Sequence, residues 1–185
     1  MSHIAIISGS VRDGRKSHQV AEYLKKYIAD NTLSASKIVD LKELKIPMLE
    51  DVQQVEENPS SSMQDFKSEI IKADAVIVIA PEYNGSYPAT LKNAIDLFSK
   101  SFYRKPIGLV GVSTGDFGGV HAIVQLQSLF FKIKAFPSTI MPISRVDENI
   151  DEQGVALQKE RIDKRAGLFM KELLWVTEAF SRMPK

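Results

Sequence analysis

The stretch Asp74-Ala-Val-Ile-Val-Ile-Ala80 narrows the possible folds more than any other in the chain. Its apolar residues run from Ala75 to Ala80 without interruption, where a strand with one wet face would alternate apolar and polar. So short a run, stopped by Pro81, predicts a strand covered on both faces. Ile4 to Ile7 is a shorter run of the same kind and ends at Ser8-Gly9. Lys37 to Leu41, Pro106 to Val112 and Thr139 to Ile143 predict the remaining strands.

Between these runs the spacing changes from continuous to helical. Val20, Ala21, Leu24, Tyr27 and Ile28 form a stripe over Ser17 to Asp30, with Ser17 as its expected N-cap. Met63, Phe66, Ile70 and Ile71 mark a second helix that ends near Ala73. A third begins at Pro88 and carries Leu91, Ala94, Ile95 and Phe98, and a fourth covers Val120 to Lys132. Ile162, Ala166, Phe169, Leu173, Val176 and Phe180 define the last helix. The polar stretch Val52 to Ser62 predicts an exposed connection. Strands alternating with helices, without a repeat, predict an α/β fold: an open parallel sheet with helices on both faces, in a single domain over 1–185.

Bulk properties exclude several classes of function. The net charge of +1, with no basic stripe, argues against a nucleic-acid partner. With no cysteine there is no disulfide, thiolate metal site or thiol nucleophile. No apolar run approaches membrane-spanning length, and Met-Ser-His leads straight into a strand. A cytoplasmic protein without a leader or a membrane partner is expected. No His, Asp and Glu spacing predicts a metal site.

In such sheets ligands gather beyond the carboxyl ends of the strands, so three loops carry the chemistry. The first, Gly9-Ser-Val-Arg-Asp-Gly-Arg-Lys-Ser17, nearly spells the triphosphate loop G-x-x-x-x-G-K-[ST]. Arg15 occupies the lysine position, and moving Lys16 on by one residue turns it about 100° around a helix. No strand ends in an Asp suited to magnesium, since the third ends Ile79-Ala80-Pro81. Ser10, Arg12 and Ser17 at a helix N-terminus suit a single phosphate instead. A dinucleotide fold fits poorly because G-x-G-x-x-G is absent after the first strand. The second loop, Pro81-Glu-Tyr-Asn-Gly-Ser-Tyr-Pro88, and the third, Ser113-Thr-Gly-Asp-Phe-Gly-Gly119, offer backbone amides and tyrosines that could border a flat ring. Taken singly, these two are also ordinary turn sequences.

Together, Gly9-Ser10-x-Arg12 with Ser17, Pro81-Glu82-Tyr83-Asn84-Gly85-Ser86 with Pro88, and Ser113-Thr114-Gly115 with Gly118-Gly119 resemble a known family. It is the NADPH-dependent FMN reductase and NAD(P)H:quinone reductase group of flavodoxin-like proteins. The resemblance covers essentially the whole chain and implies a five-stranded parallel sheet in the order 2-1-3-4-5. It implies that Ser10, Arg12 and Ser17, with the amide of His18, hold the phosphate of bound FMN. Pro81, Glu82, Tyr83, Asn84 and Gly85 would line the isoalloxazine edge, and Ser113, Thr114 and Gly115 its pyrimidine side, largely through backbone N–H groups. Many members carry Asn shortly after the loop serine, where this chain has His18-Gln19.

The implied activity passes a hydride from NADPH or NADH to FMN, then electrons to a small-molecule acceptor: a quinone, azo compound, free flavin or oxidised metal ion. The cofactor carries that chemistry, so no catalytic side chain is expected. Glu82 in its motif position, His3 at a strand start and His121 near a helix start are not expected to act as acids or bases. The resemblance also implies a homodimer or homotetramer, with Tyr83, Tyr87 and the helix from Pro88 to Ser99 as interface candidates; that helix's apolar stripe serves equally as core.

Two alternatives belong to other classes. A flavodoxin-like carrier would hold FMN without nicotinamide turnover, but such carriers are commonly acidic, whereas this chain is near neutral and has Arg12 in its loop. A phosphate-binding signalling domain of receiver type would need acidic residues where Ser8-Gly9 and Ala80-Pro81 stand.

Overall fold

The computed structural model describes residues 2–49 and 59–183. Five parallel strands, β1 (His3–Ser8), β2 (Ala35–Asp40), β3 (Ala75–Pro81), β4 (Pro106–Val112) and β5 (Phe136–Ile143), stand in the order β2-β1-β3-β4-β5. The long helices are α1 (Lys16–Asp30), α3 (Ser61–Lys72), α4 (Ala89–Leu97), α5 (Val120–Lys132) and α7 (Lys159–Ser181). Two four-residue helices, α2 (Leu41–Leu44) and α6 (Val146–Asn149), and a 3₁₀ turn at Ser99–Phe102 complete the described elements.

The unbroken apolar runs follow from the two-residue period of a strand with helices on both sides. Val76, Val78 and Ala80 of β3 join Ala5 and Ile7 of β1 under α3, α4 and α5, around Phe66, Phe102 and Phe130. Ala75, Ile77 and Ile79 point the other way with Ile4 and Ile6, beneath α1 and α7. The Tyr23 hydroxyl donates to Asp163 Oδ1 at 2.8 Å and ties α1 to α7; burial and that carboxylate push the phenol's pKa up. Among the described residues no helix is long and apolar enough to cross a membrane.

Several boundaries differ from expectation for local reasons. Asp40 accepts the Lys42 N–H at 2.9 Å and starts α2, so the second strand ends one residue before Leu41. The fifth strand begins at Phe136 rather than Thr139, because Phe136 N–H donates to the Lys105 carbonyl at 2.8 Å and an edge strand tolerates Pro137. Ser61 and Ser62 belong to α3, whose cap Ser60 accepts from Met63 N–H. The rest of the expected connection, up to residue 58, lies outside the described residues. Ile71 is solvent-exposed, and the buried stripe of α3 runs through Glu69 instead. The stripe of α4 is core: Leu91, Ala94, Ile95 and, just beyond the helix, Phe98 are all buried.

The switch in strand order falls between β1 and β3, and Gly9 closes it. Its N–H donates to the Ile79 carbonyl at 3.0 Å, and a Cβ there would stand 2.8 Å from that same oxygen. At the opposite edge His3 and Lys37 both hydrogen-bond the buried Glu69, Lys37 at 3.0 Å. Burial raises the Glu69 pKa, but the bonds from His3 and Lys37 outweigh it and leave the carboxyl below its ordinary value.

Two outcomes are expected. Gly9→Ala costs about 1–3 kcal/mol, measured as a lower denaturation midpoint, because the strand ends cannot separate without losing their bond. Glu69 contributes stability above its unfolded-state pKa and loses it as pH falls through its lower folded value. Glu69→Gln therefore flattens the acid limb of the stability curve, and an unchanged acid limb would refute the assignment.

Candidate functional site

A cavity of about 370 Å³ opens at the carboxyl edge of the sheet, above the switch point. It is lined by Ser10, Arg12 and Ser17 from the first loop, Pro81, Glu82 and Tyr83 from the second, and Ser113 and Thr114 from the third. Three segments far apart in sequence thus meet in one place because β1, β3 and β4 are neighbours. His18, Asn84, Gly85 and Gly115 do not line it. Asp13, Gly14, Arg15, Lys16, Val112 and Val146 do; of these the sequence leaves open whether Arg15 or Lys16 meets a phosphate and singles out none of the others. The first four sit in the same loop; Val146, at the start of α6, carries no sequence signal.

On the phosphate-loop side, Ser10 Oγ shares a 2.7 Å hydrogen bond with the Tyr83 hydroxyl. The Arg12 guanidinium stands 5.3 Å from the centre of the Tyr83 ring. Among the described residues Arg12 has no carboxylate partner, whereas its neighbours are committed. Lys16 bonds Asp147 Oδ1 at 2.7 Å, which holds its pKa above the usual lysine value, and Arg15 pairs with Asp40.

Ser17 corrects the expectation made for it. Arg15 is the N-cap of α1, and Ser17 lies inside the first turn, where a serine hydroxyl cannot cap the helix it belongs to. Its Oγ is buried without a hydrogen-bond partner, although it lines the cavity. His18 turns its ring aside: Nδ1 shares a 3.2 Å bond with Ser8 Oγ and lies 3.6 Å from Asp40 Oδ2.

The ring-side loops are held by α5. Tyr83 and Ser86 exchange backbone bonds around Asn84 and Gly85, both with positive φ as a type I′ turn requires. Gln125 secures that turn, donating to the Gly85 carbonyl and accepting from Ser86 Oγ, each at 2.7 Å. Glu82 accepts the His121 N–H at 3.1 Å and bonds its Nδ1 at 2.9 Å, capping a helix whose own cap residue, Gly119, has no side chain. The third loop leans on the end of β5: Ser113 N–H donates to the Ile143 carbonyl and Val146 N–H to the Ser113 carbonyl. Several expected backbone donors are thereby occupied, since Tyr83 N–H serves Ser86, Ser113 N–H serves Ile143, and Gly115 N–H serves Ser113 Oγ. The Glu82 amide continues the ladder beyond the Pro81–Val112 pair, and the amide of Thr114 has no such partner among the described residues.

The arrangement offers an anion site at a helix N-terminus beside a slot walled by Tyr83, Pro81 and Thr114. The chain is similar to several known proteins. The family model described as NADPH-dependent FMN reductase matches residues 2–141. The NAD(P)H-dependent FMN reductase of Saccharomyces cerevisiae is 32% identical over 144 residues, 71% of this chain and 74% of that one. A quinone reductase of Pseudomonas putida is 38% identical over 136 residues, 69% of each. Among solved structures, the flavoenzyme NAD(P)H:(acceptor) oxidoreductase FerB of Paracoccus denitrificans superposes with a TM-score of 0.77 at 24% identity, covering 96% of this chain and 98% of that one.

Replacing Glu82 by Ala is expected to cost about 1 kcal/mol of stability through the lost cap on α5. Gln125→Ala is expected to speed amide exchange at Tyr83 and Ser86 while leaving β3 protected. Hydrogen-exchange mass spectrometry separates the two.

Proposed function

The chain belongs to the NADPH-dependent FMN reductase family, and on that premise we propose how its cavity serves an NAD(P)H-dependent FMN oxidoreductase whose acceptors are quinones or azo compounds. The observation that carries the assignment of the cavity is Ser17 Oγ. A buried hydroxyl with no partner, in a cavity wall at a helix N-terminus, is a donor waiting for an anion. Arg12, with no carboxylate of its own among the described residues, supplies the charge. Ser10, Arg12, Ser17 and the amide of His18 would hold the FMN phosphate.

Pro81, Glu82, Tyr83, Asn84 and Gly85, with Ser113, Thr114 and Gly115, would frame the ring. The amide of Thr114 is the best-placed donor among them, and Asn84 and Gly85 act through the turn that holds Tyr83. Bound there, FMN would supply the redox chemistry that carries electrons from NADPH or NADH to the acceptor. The protein's part is to orient the ring, offer N–H donors to its reduced, more negative form, and keep a phosphate from leaving. Glu82 is engaged on α5 and takes no proton in this scheme. We further propose assembly as a dimer or tetramer, with the half-buried Tyr83 and Tyr87 at the contact.

The purified protein is expected to be yellow, to release FMN on denaturation, and to bleach when mixed with NADPH or NADH without oxygen. A colourless protein that cannot be reconstituted with FMN would overturn the assignment, and a yellow one that neither nicotinamide bleaches would make it a carrier. Arg12→Ala is expected to weaken FMN binding by about 1.5–3 kcal/mol, measured by titration of the apoprotein. Sedimentation velocity tests the assembly, where a monomer would refute it.

A further inference from the structure

Arg15 stands where a triphosphate loop has its lysine, yet both terminal nitrogens of its guanidinium are engaged within the protein. Nη1 donates to the Ser10 carbonyl at 2.8 Å and to Asp40 Oδ1 at 2.6 Å, while Nη2 donates to Asp40 Oδ2. Both side chains are nearly buried, at 10% and 11% exposure. Asp40 is immobile in turn, since the same Oδ1 accepts the Lys42 N–H that begins α2. A two-pronged pair of this kind fixes position and direction together, which a lysine could not do.

From this geometry we infer that Arg15 and Asp40 form a clamp that presets the phosphate loop, and that Arg15 is a positioning residue rather than a phosphate ligand. The inference rests on FMN binding at this cavity. Arg15 bridges five residues back to Ser10, so the loop is closed on itself before any ligand arrives. Because the peptide is planar and trans, turning the Ser10 carbonyl to Arg15 also fixes the Val11 N–H on the opposite edge of that peptide. The pairing also cancels two charges. A bare Asp40 carboxylate would repel a phosphate, and a loose Arg15 would hold one in no fixed place. The net attraction is left to Arg12, Ser17 and the helix N-terminus.

The two roles for Arg15 predict opposite results for one substitution. Asp40→Asn removes the charge that holds Arg15 and leaves the guanidinium in place. If Arg15 were a phosphate ligand, FMN would bind as well or better; as a positioning residue, it loses the loop's set geometry. The test titrates apoprotein with FMN and with riboflavin, which lacks the phosphate, after thermal melts establish that each variant is folded. Asp40→Asn and Arg15→Lys are each expected to weaken FMN about tenfold or more, and riboflavin less than about threefold. Arg15→Gln should weaken FMN further by leaving Asp40 bare, and the double variant Arg15→Gln/Asp40→Asn should recover part of that loss. Unchanged or tighter FMN binding by Asp40→Asn, or by Arg15→Lys should the first not fold, overturns the inference. So does an equal loss for both flavins, the mark of a merely structural role. Wild-type protein that binds neither flavin overturns the functional assignment and this inference together.

Discussion

A strand covered on both faces has no room for a polar side chain, and that constraint arranges everything else here. β3 and β4 are apolar throughout and β1 from Ile4 to Ile7, so each displays chemistry only at or beyond its ends. Parallel pairing then puts those last residues on one edge: Ser8 beside Ile79 and Asp40, Pro81 beside Val112. The loops that follow share a site because their strands share a register, although they are far apart in the chain.

On that edge the cavity has two walls built by different means. The phosphate-loop wall is electrostatic. Arg15, Asp40, Lys16 and Asp147 pair off, which leaves Arg12 as the cation there without a carboxylate among the described residues. The ring-side wall is held largely by backbone bonds, with Gln125 and the Glu82 carboxylate joining the second loop to the helix that follows the third.

The sequence was informative wherever one residue's neighbours along the chain settle its environment. Ala75 to Ala80 could be nothing but an interior strand, and the Asn84-Gly85 pair could hardly avoid a tight turn. The three loops were legible because strand ends are legible. Ser17 was misjudged because a serine before a helical stripe normally caps it, and only the position of Arg15 moves the helix start back. Phe136-Pro137 resembles a loop until β5 is known to be an edge strand. Asp40 and Val146 left no mark at all: they reach the site through strand order and a crossover, which no local pattern encodes.

The cavity also straddles a seam. On one side lie α1, β1 and β2; on the other, β3, β4 and α5. Above the strands the halves meet through the Gly9–Ile79 bond, the weak Thr90 bond to the Gly9 carbonyl, the contacts of Ser10 and Arg12 with Tyr83, the Lys16–Asp147 pair and the Asn93 bonds to Pro47 and Leu49. A ligand whose phosphate sits in one half and whose ring sits in the other is therefore a rivet as well as a reagent. Its affinity would add to the free energy that keeps the halves together, so the folded state would be more secure with the cofactor than without it.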